Sequence, residues 1–310
     1  MENNASPWHD LDVSRWAPTK QSLHLYSQML GKIRLALSPP QPEWMFTALY
    51  LNPRGLTTGS IPCGYSSIEC VLDIFDSAIT ISKSDGRTRA IPFVPSRTVA
   101  EIYADLTAAL EELKVECYIS PVPQEVPDTT PLPTDRRVRD YDAAAARRWF
   151  DTNTALAGVF ERWRSGFFGR SGVQLWWGAF DLAMMLFNGK RVAPPTNRGY
   201  LMKYDLDAEL MNVGLYLGDA TTAPFFYGYI YPEPPGALSL PMRPTGATWS
   251  AQLKEWVLPY EDVRTSADPE LTIRTFIDAI YAHCFDAAGW DKHALTYDLP
   301  KAFASKETFE

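Results

Sequence analysis

The feature that most constrains this chain is the stretch from residue 119 to 140. Prolines at 121, 123, 127, 131 and 133 strip out backbone donors there and disfavour helix at each preceding residue. Such a segment reads as an extended connector that divides the chain. The rest has material for one large core or two ordinary ones, since 310 residues with 46% hydrophobic and 13% aromatic side chains lie far from a disordered composition.

Before the connector, Leu23, Tyr26, Leu30, Ile33 and Leu37 recur at three-four spacing, which predicts a helix over 20–37. The run Trp44 to Leu51 is short and rich in strand formers and reads as a strand, as do Ile68 to Phe75, Ala78 to Ser82 and Thr88 to Phe93. Ser84-Asp85-Gly86-Arg87 supplies a hairpin turn. Thr98 with Glu101 forms a capping box that opens a second helix.

After the connector the order returns. Trp149, Leu156, Phe160, Trp163 and Phe167 are spaced for a helix, and Leu175 to Leu182, Val213 to Leu217, Phe225 to Tyr231 and Trp256 to Leu258 read as strands. Asp268-Pro269 starts a last helix. The expected fold is therefore α+β with two similar halves, each helix, antiparallel strands, helix, pseudo-duplicated and packed around a shared core. The expected boundaries are 15–120 and 140–298 for the halves, 121–139 for the connector, an insertion near 188–210 and a tail at 299–310.

The N-terminus lacks the basic and apolar regions of a signal peptide, and no segment is apolar for the length of a membrane span, so a cytoplasmic protein with no membrane partner is expected. Cys63, Cys70, Cys117 and Cys284 are scattered without a Cys-x-x-Cys pair and read as reduced thiols. A net charge of -8 argues against nucleic acid. The four histidines (His9, His24, His283, His293) show no metal-ligand spacing, and no phosphate-binding glycine loop or nucleophile elbow occurs, so no cofactor is expected. Asp205, Asp207 and Glu209 leave magnesium open as a carboxylate-bound alternative.

Asp181 is the leading candidate acid or base, because it interrupts an otherwise almost wholly apolar run and a buried carboxylate there must be paired, hydrogen-bonded or protonated. The structural alternative is an ion pair with Arg164, Arg34 or Lys32. His24, Gln28 and Lys32 fall at i, i+4, i+8 and form one polar stripe on the first helix. That stripe is either a solvated face or the lining of a cleft, with His24 carrying a proton and Lys32 holding an anionic group. Arg54, on a turn before Gly55, is a second anion contact. Trp176, Trp177, Phe225, Phe226, Tyr227, Tyr229 and Tyr231 suit either a packed core or an apolar pocket with Asp181 and Glu209 as polar handles.

Several of these segments occur together and in order: Leu23-His24-Leu25-x-x-Gln28-x-x-Gly31-Lys32-x-Arg34, Arg54-Gly55-Leu56-Thr57-Thr58, Ser84-Asp85-Gly86-Arg87, Trp177-Gly178-Ala179-Phe180-Asp181-Leu182 and Tyr231-Pro232-Glu233-Pro234-Pro235-Gly236. Over residues 20 to 290 or so the chain resembles domain of unknown function 5996, a family that brings no activity, cofactor or substrate with it. The resemblance draws attention to Glu233 in its stiff proline-flanked segment. It also marks two departures: the family pattern has a histidine where this chain has Gln174, and Ser-His-Glu where it has Asp207-Ala208-Glu209.

The functional expectation is a metal-independent enzyme using acid–base chemistry, of isomerase, cyclase or lyase type, on a small apolar or aromatic molecule bound between the halves. Asp181, His24 and Glu209 are its expected catalytic groups. Lys32, Arg34, Gln28, Arg54, Gln174, Trp177, Tyr229 and Glu233 are the expected substrate contacts. The alternative is a non-catalytic small-molecule-binding module.

Overall fold

The structure is a computed structural model and describes residues 6–93, 97–195 and 204–297. Among these residues it is an α+β fold with two antiparallel sheets and six α-helices: α1 (Ala17–Leu37), α2 (Val99–Glu112), α3 (Ala143–Arg164), α4 (Tyr260–Arg264), α5 (Pro269–Asp286) and α6 (Lys292–Leu295). None of the described helices is long and apolar enough to cross a membrane. All four cysteines are free thiols.

The first sheet runs β1 (Tyr50–Asn52), β2 (Gly55–Thr57), β4 (Ser66–Asp73), β5 (Ala78–Lys83), β6 (Thr88–Pro92), with β3 (Ile61–Cys63) pairing to β4. The second has the order β11 (Thr248–Ser250), β12 (Glu255–Pro259), β10 (Phe225–Tyr231), β9 (Ala208–Tyr216), β8 (Asp181–Arg191), β7 (Gln174–Trp176). Part of the expected insertion, residues 196–203, lies outside the described residues.

The chain forms two compact units. The first comprises residues 1–155, 174–183 and 215–225 and includes the proline-rich connector; the second comprises 156–173, 184–214 and 226–310.

In the first unit α1 is the organising element. Pro18 suits its first turn, where a missing N–H costs nothing, and Pro39 and Pro40 prevent its continuation beyond Ser38. The helix is buried nearly all round from Ser22 to Arg34, so its polar residues lie inside with Leu23, Met29, Leu30 and Ile33. The capping box of α2 is formed as expected: Thr98 Oγ1 accepts from Glu101 N and the Glu101 carboxylate accepts from Thr98 N.

Two expected strands come out differently. Over 44–51, Pro42–Trp44 form a 3-10 turn, Glu43 and Trp44 take positive φ (49° and 55°), and strand begins only at Tyr50. The carbonyls of this segment are satisfied by side chains instead of a ladder: Phe46 O accepts from Arg34 Nε at 3.0 Å and Thr47 O from Trp177 Nε1 at 2.9 Å. The run 175–182 is a hairpin, with Trp176 opposite Asp181 and the chain reversing over Trp177–Phe180. Phe180 turns the chain with φ of 61° and donates its N–H to Trp176 O at 2.8 Å. Asp181 thus opens β8, at the end of the hairpin loop.

In the second unit Asp268 caps α5 by accepting from Leu271 N, and α5 buries Ile273, Phe276, Ile277, Ile280 and Cys284. Trp256 of β12 is fully buried, with its ring 5.4 Å from His283 of α5.

Candidate functional site

Four polar residues of α1 stand one turn apart: Lys20, His24, Gln28 and Lys32. The structure divides them between two jobs. Gln28 and Lys32 grip the connector. Gln28 Nε2 donates to Gln124 O at 2.7 Å while its Oε1 accepts from Gln124 N at 2.9 Å, and Lys32 Nζ donates to Val122 O at 2.6 Å. Two side chains therefore supply an extended, proline-interrupted backbone with the partners that a strand would otherwise provide.

Lys32 is only 2% exposed and has no carboxylate within ion-pair distance among the described residues, and burial pushes its amine down to about 8. The Trp177 ring centroid lies 6.0 Å from its Nζ. That indole is itself seated on Gly31, where a Cβ would meet Trp177 Cδ1 at 2.1 Å. On the other side of the hairpin loop a Cβ on Gly178 would meet Glu125 Oε1 at 2.3 Å, so the connector's Glu125 lies directly over that glycine.

His24 and Lys20 face a cleft of about 570 Å³, whose other wall is the connector, including Pro123, Val126 and Arg137. All its lining residues belong to the first unit. His24 Nε2 lies 3.0 Å from Trp177 O and 2.9 Å from Gly178 O. Carbonyl oxygens only accept, so Nε2 carries the proton and the lone pair of the neutral ring is on Nδ1. Gln28 Nε2 is 3.3 Å from the same ring nitrogen, but the Gln124 backbone fixes the direction of that amide. Nδ1 makes no hydrogen bond among the described residues, and His24 lines the cleft.

The ring is held from behind by stacking. Phe180 lies 5.1 Å from His24 at 18°, and Trp149 continues the stack 5.1 Å from Phe180 at 12°. Burial, aided by the charge of Lys20, pushes the imidazole down to about 4 against the opposing pull of the Gly178 and Trp177 carbonyls. At neutral pH His24 is an uncharged, oriented hydrogen-bond acceptor.

Lys20 donates to Gly218 O, lies 5.9 Å from the Tyr216 ring centroid and is pushed down to about 8 by burial, with Asp219 pulling the other way. The two arginines of the cleft are already neutralised: Arg137 pairs with Asp128 at 2.5 Å and Asp135 at 2.8 Å, and Arg139 pairs with Asp135 at 2.7 Å. Among the described residues no group of three or more His, Cys, Asp or Glu stands together as a metal site.

The remaining residues singled out in the sequence are dispersed. Asp181 is buried at 6% exposure, and its charge adds to burial and Asp219 in pushing the Tyr216 phenol up to about 12. Arg34 is spent on the carbonyls of Phe46 and Thr58. Arg54 binds Asp73 and Asp76 at the end of the first sheet. Gln174 is buried in β7, and its Oε1 has no hydrogen-bond partner among the described residues. Glu209, Tyr229 and Glu233 belong to the second unit: Glu209 accepts from Asn188, Tyr229 from Asn212 at 3.1 Å, and Glu233 lies 3.4 Å from Lys254. Lys20 and the connector wall were not singled out in the sequence. The i, i+4 spacing that selected His24, Gln28 and Lys32 extends one step back to Lys20, and was the available signal.

Fold and site together define an α+β protein with two antiparallel sheets and a histidine–lysine cleft roofed by a proline-rich strap. The chain belongs to a family of unknown function, DUF5996, whose profile matches residues 8–297. No curated protein and no solved structure shows a significant match to it.

Proposed function

We propose that the first unit binds a small, largely apolar or aromatic molecule in the cleft between α1 and the connector, and that the protein acts on it by metal-independent acid–base chemistry of isomerase, cyclase or lyase type. The observation that carries this reading is His24: its Nε2–H is committed to two backbone carbonyls, its Nδ1 makes no hydrogen bond among the described residues, and the residue lines a cleft of about 570 Å³. In this reading His24 orients a donor group of the ligand and Lys20, whose amine titrates near 8, is the reactive group of the cleft. Asp181 acts from behind, through Tyr216.

Non-catalytic binding at the same cleft is the second reading, favoured by one specific observation. An imidazole pushed down to about 4 is a good acceptor and a weak base at neutral pH. We also read the chain as an internal duplication. A long helix precedes an antiparallel sheet of six strands twice, and a further helix follows each sheet.

Native mass spectrometry of the purified protein, with a thermal-shift screen of small aromatic and apolar compounds, tests the proposal. A compound that stabilises the wild type and no longer stabilises His24→Gln supports it, since saturation at a hundredfold excess over Kd is worth about 2.7 kcal/mol. Stabilisation that survives both His24→Gln and the cleft-filling Ala17→Trp would place binding elsewhere.

A further inference from the structure

Two lysines of α1 have their amines pushed down to about 8, yet only one can be reached. Lys32 is sealed under the connector with its Nζ on Val122 O. Lys20 lines the cleft, half-buried, one helical turn from His24. Among the described lining residues it is the cation with no carboxylate within ion-pair distance, because Arg137 and Arg139 are each engaged by aspartates. Its Nζ donates to Gly218 O and faces Asp219 and the Tyr216 ring, and the cleft's other walls mix Val13, Leu25, Val126 and Val138 with Gln21, Thr130 and Asp140. A cleft whose arginines are internally neutralised does not select an anion. It offers instead a partly apolar lining, one amine without an ion-pair partner and one fixed acceptor.

We infer that Lys20 is a nucleophile and that the cleft takes a small aldehyde or ketone with an apolar body, which it holds as an imine. This inference rests on the cleft reading above. In the step, the neutral Nζ adds to the carbonyl carbon. The two protons of the amine leave with the carbonyl oxygen as water, and a carbon–nitrogen double bond remains. No oxidant or reductant is consumed. His24 Nδ1 accepts a hydrogen bond from the hydroxyl of the tetrahedral adduct, which orients it for loss of water. An amine that titrates near 8 has an appreciable neutral fraction at physiological pH, whereas an ordinary lysine has almost none.

The test uses the full chain, benzaldehyde as probe and sodium cyanoborohydride to trap imine at pH 7.5, followed by peptide mapping by mass spectrometry. The expected result is benzylation of Lys20 at least about tenfold faster than any other lysine, with Lys32 unmodified and the fast phase absent in Lys20→Arg. Benzyl alcohol, which has the same body without the carbonyl, reports the cleft by thermal shift. If benzyl alcohol stabilises the wild type but not Ala17→Trp while Lys20 labels no faster than exposed lysines, the cleft stands and the imine is refuted. Labelling of Lys32 ahead of Lys20 refutes it as well. If neither compound acts on the first unit, both readings fall.

Discussion

His24 shows how burial turns a titratable residue into a fixed one. Its folded value of about 4 lies below the ordinary 6.5, so between these limits the unfolded chain binds a proton that the folded chain refuses. The His24 contribution is complete above pH 6.5 and is lost as pH falls towards 4, on the order of 3 kcal/mol at the acid end. Thermal unfolding from pH 7 to 4 should show this fall, and His24→Gln should flatten it. The same reasoning gives Lys32 the opposite end of the scale. Its amine titrates near 8 in the fold and near 10.5 without it, so stability rises with pH across that interval, and Lys32→Met should remove its share of the rise and leave that of Lys20, whose amine also titrates near 8. Gly31 provides a test of packing. In an exposed helix Gly→Ala gains about 1 kcal/mol, but here the added methyl would stand 2.1 Å from Trp177 Cδ1. Gly31→Ala should therefore destabilise by about 1–3 kcal/mol, read as a lowered denaturation midpoint.

At the scale of elements, the four long helices and the strands β4, β5, β6, β10 and β12 were legible because their signals are local, whereas the short helices α4 and α6 and the strands β2, β3 and β11 were not read. The apolar spacing of α1, the Thr98–Glu101 box and the Asp268-Pro269 cap each act within one turn. The two misread segments were decided by distant partners. Nothing near Trp44–Leu51 in the sequence says that Arg34 and Trp177 occupy its carbonyls, and the hairpin loop 177–180 has only Gly178 as a turn residue. The connector was legible as extended, but its clamp by Gln28 and Lys32 was not, because a polar stripe on a helix reads equally as a solvated face. Gln28→Ala removes both side-chain partners of Gln124. It should cost about 1–3 kcal/mol, and hydrogen exchange should show the Gln124 amide losing its protection while the amides of β4 and β5 keep theirs.

At the scale of the whole molecule, neither compact unit is a single stretch of chain. The first unit draws on residues 174–183, where Leu175 pairs with Leu49 and Trp177 lies on Gly31. A fragment ending at residue 139 lacks both, together with Trp149 and Phe180 of the stack behind His24. Residues 1–139 alone should show no cooperative thermal transition, whereas the full chain should.

The most direct test of the central claim is nitrogen NMR of the full chain labelled with 15N-histidine, followed from pH 7.5 to 4.5. With four histidines in the sequence, His24→Gln assigns the resonance. The expected spectrum has a proton on Nε2 and a bare Nδ1 down to about pH 5, with protonation setting in only below that, and the Nδ1 signal moves when a cleft ligand is added. A His24 that titrates near 6.5, or that carries its neutral proton on Nδ1, would contradict the site.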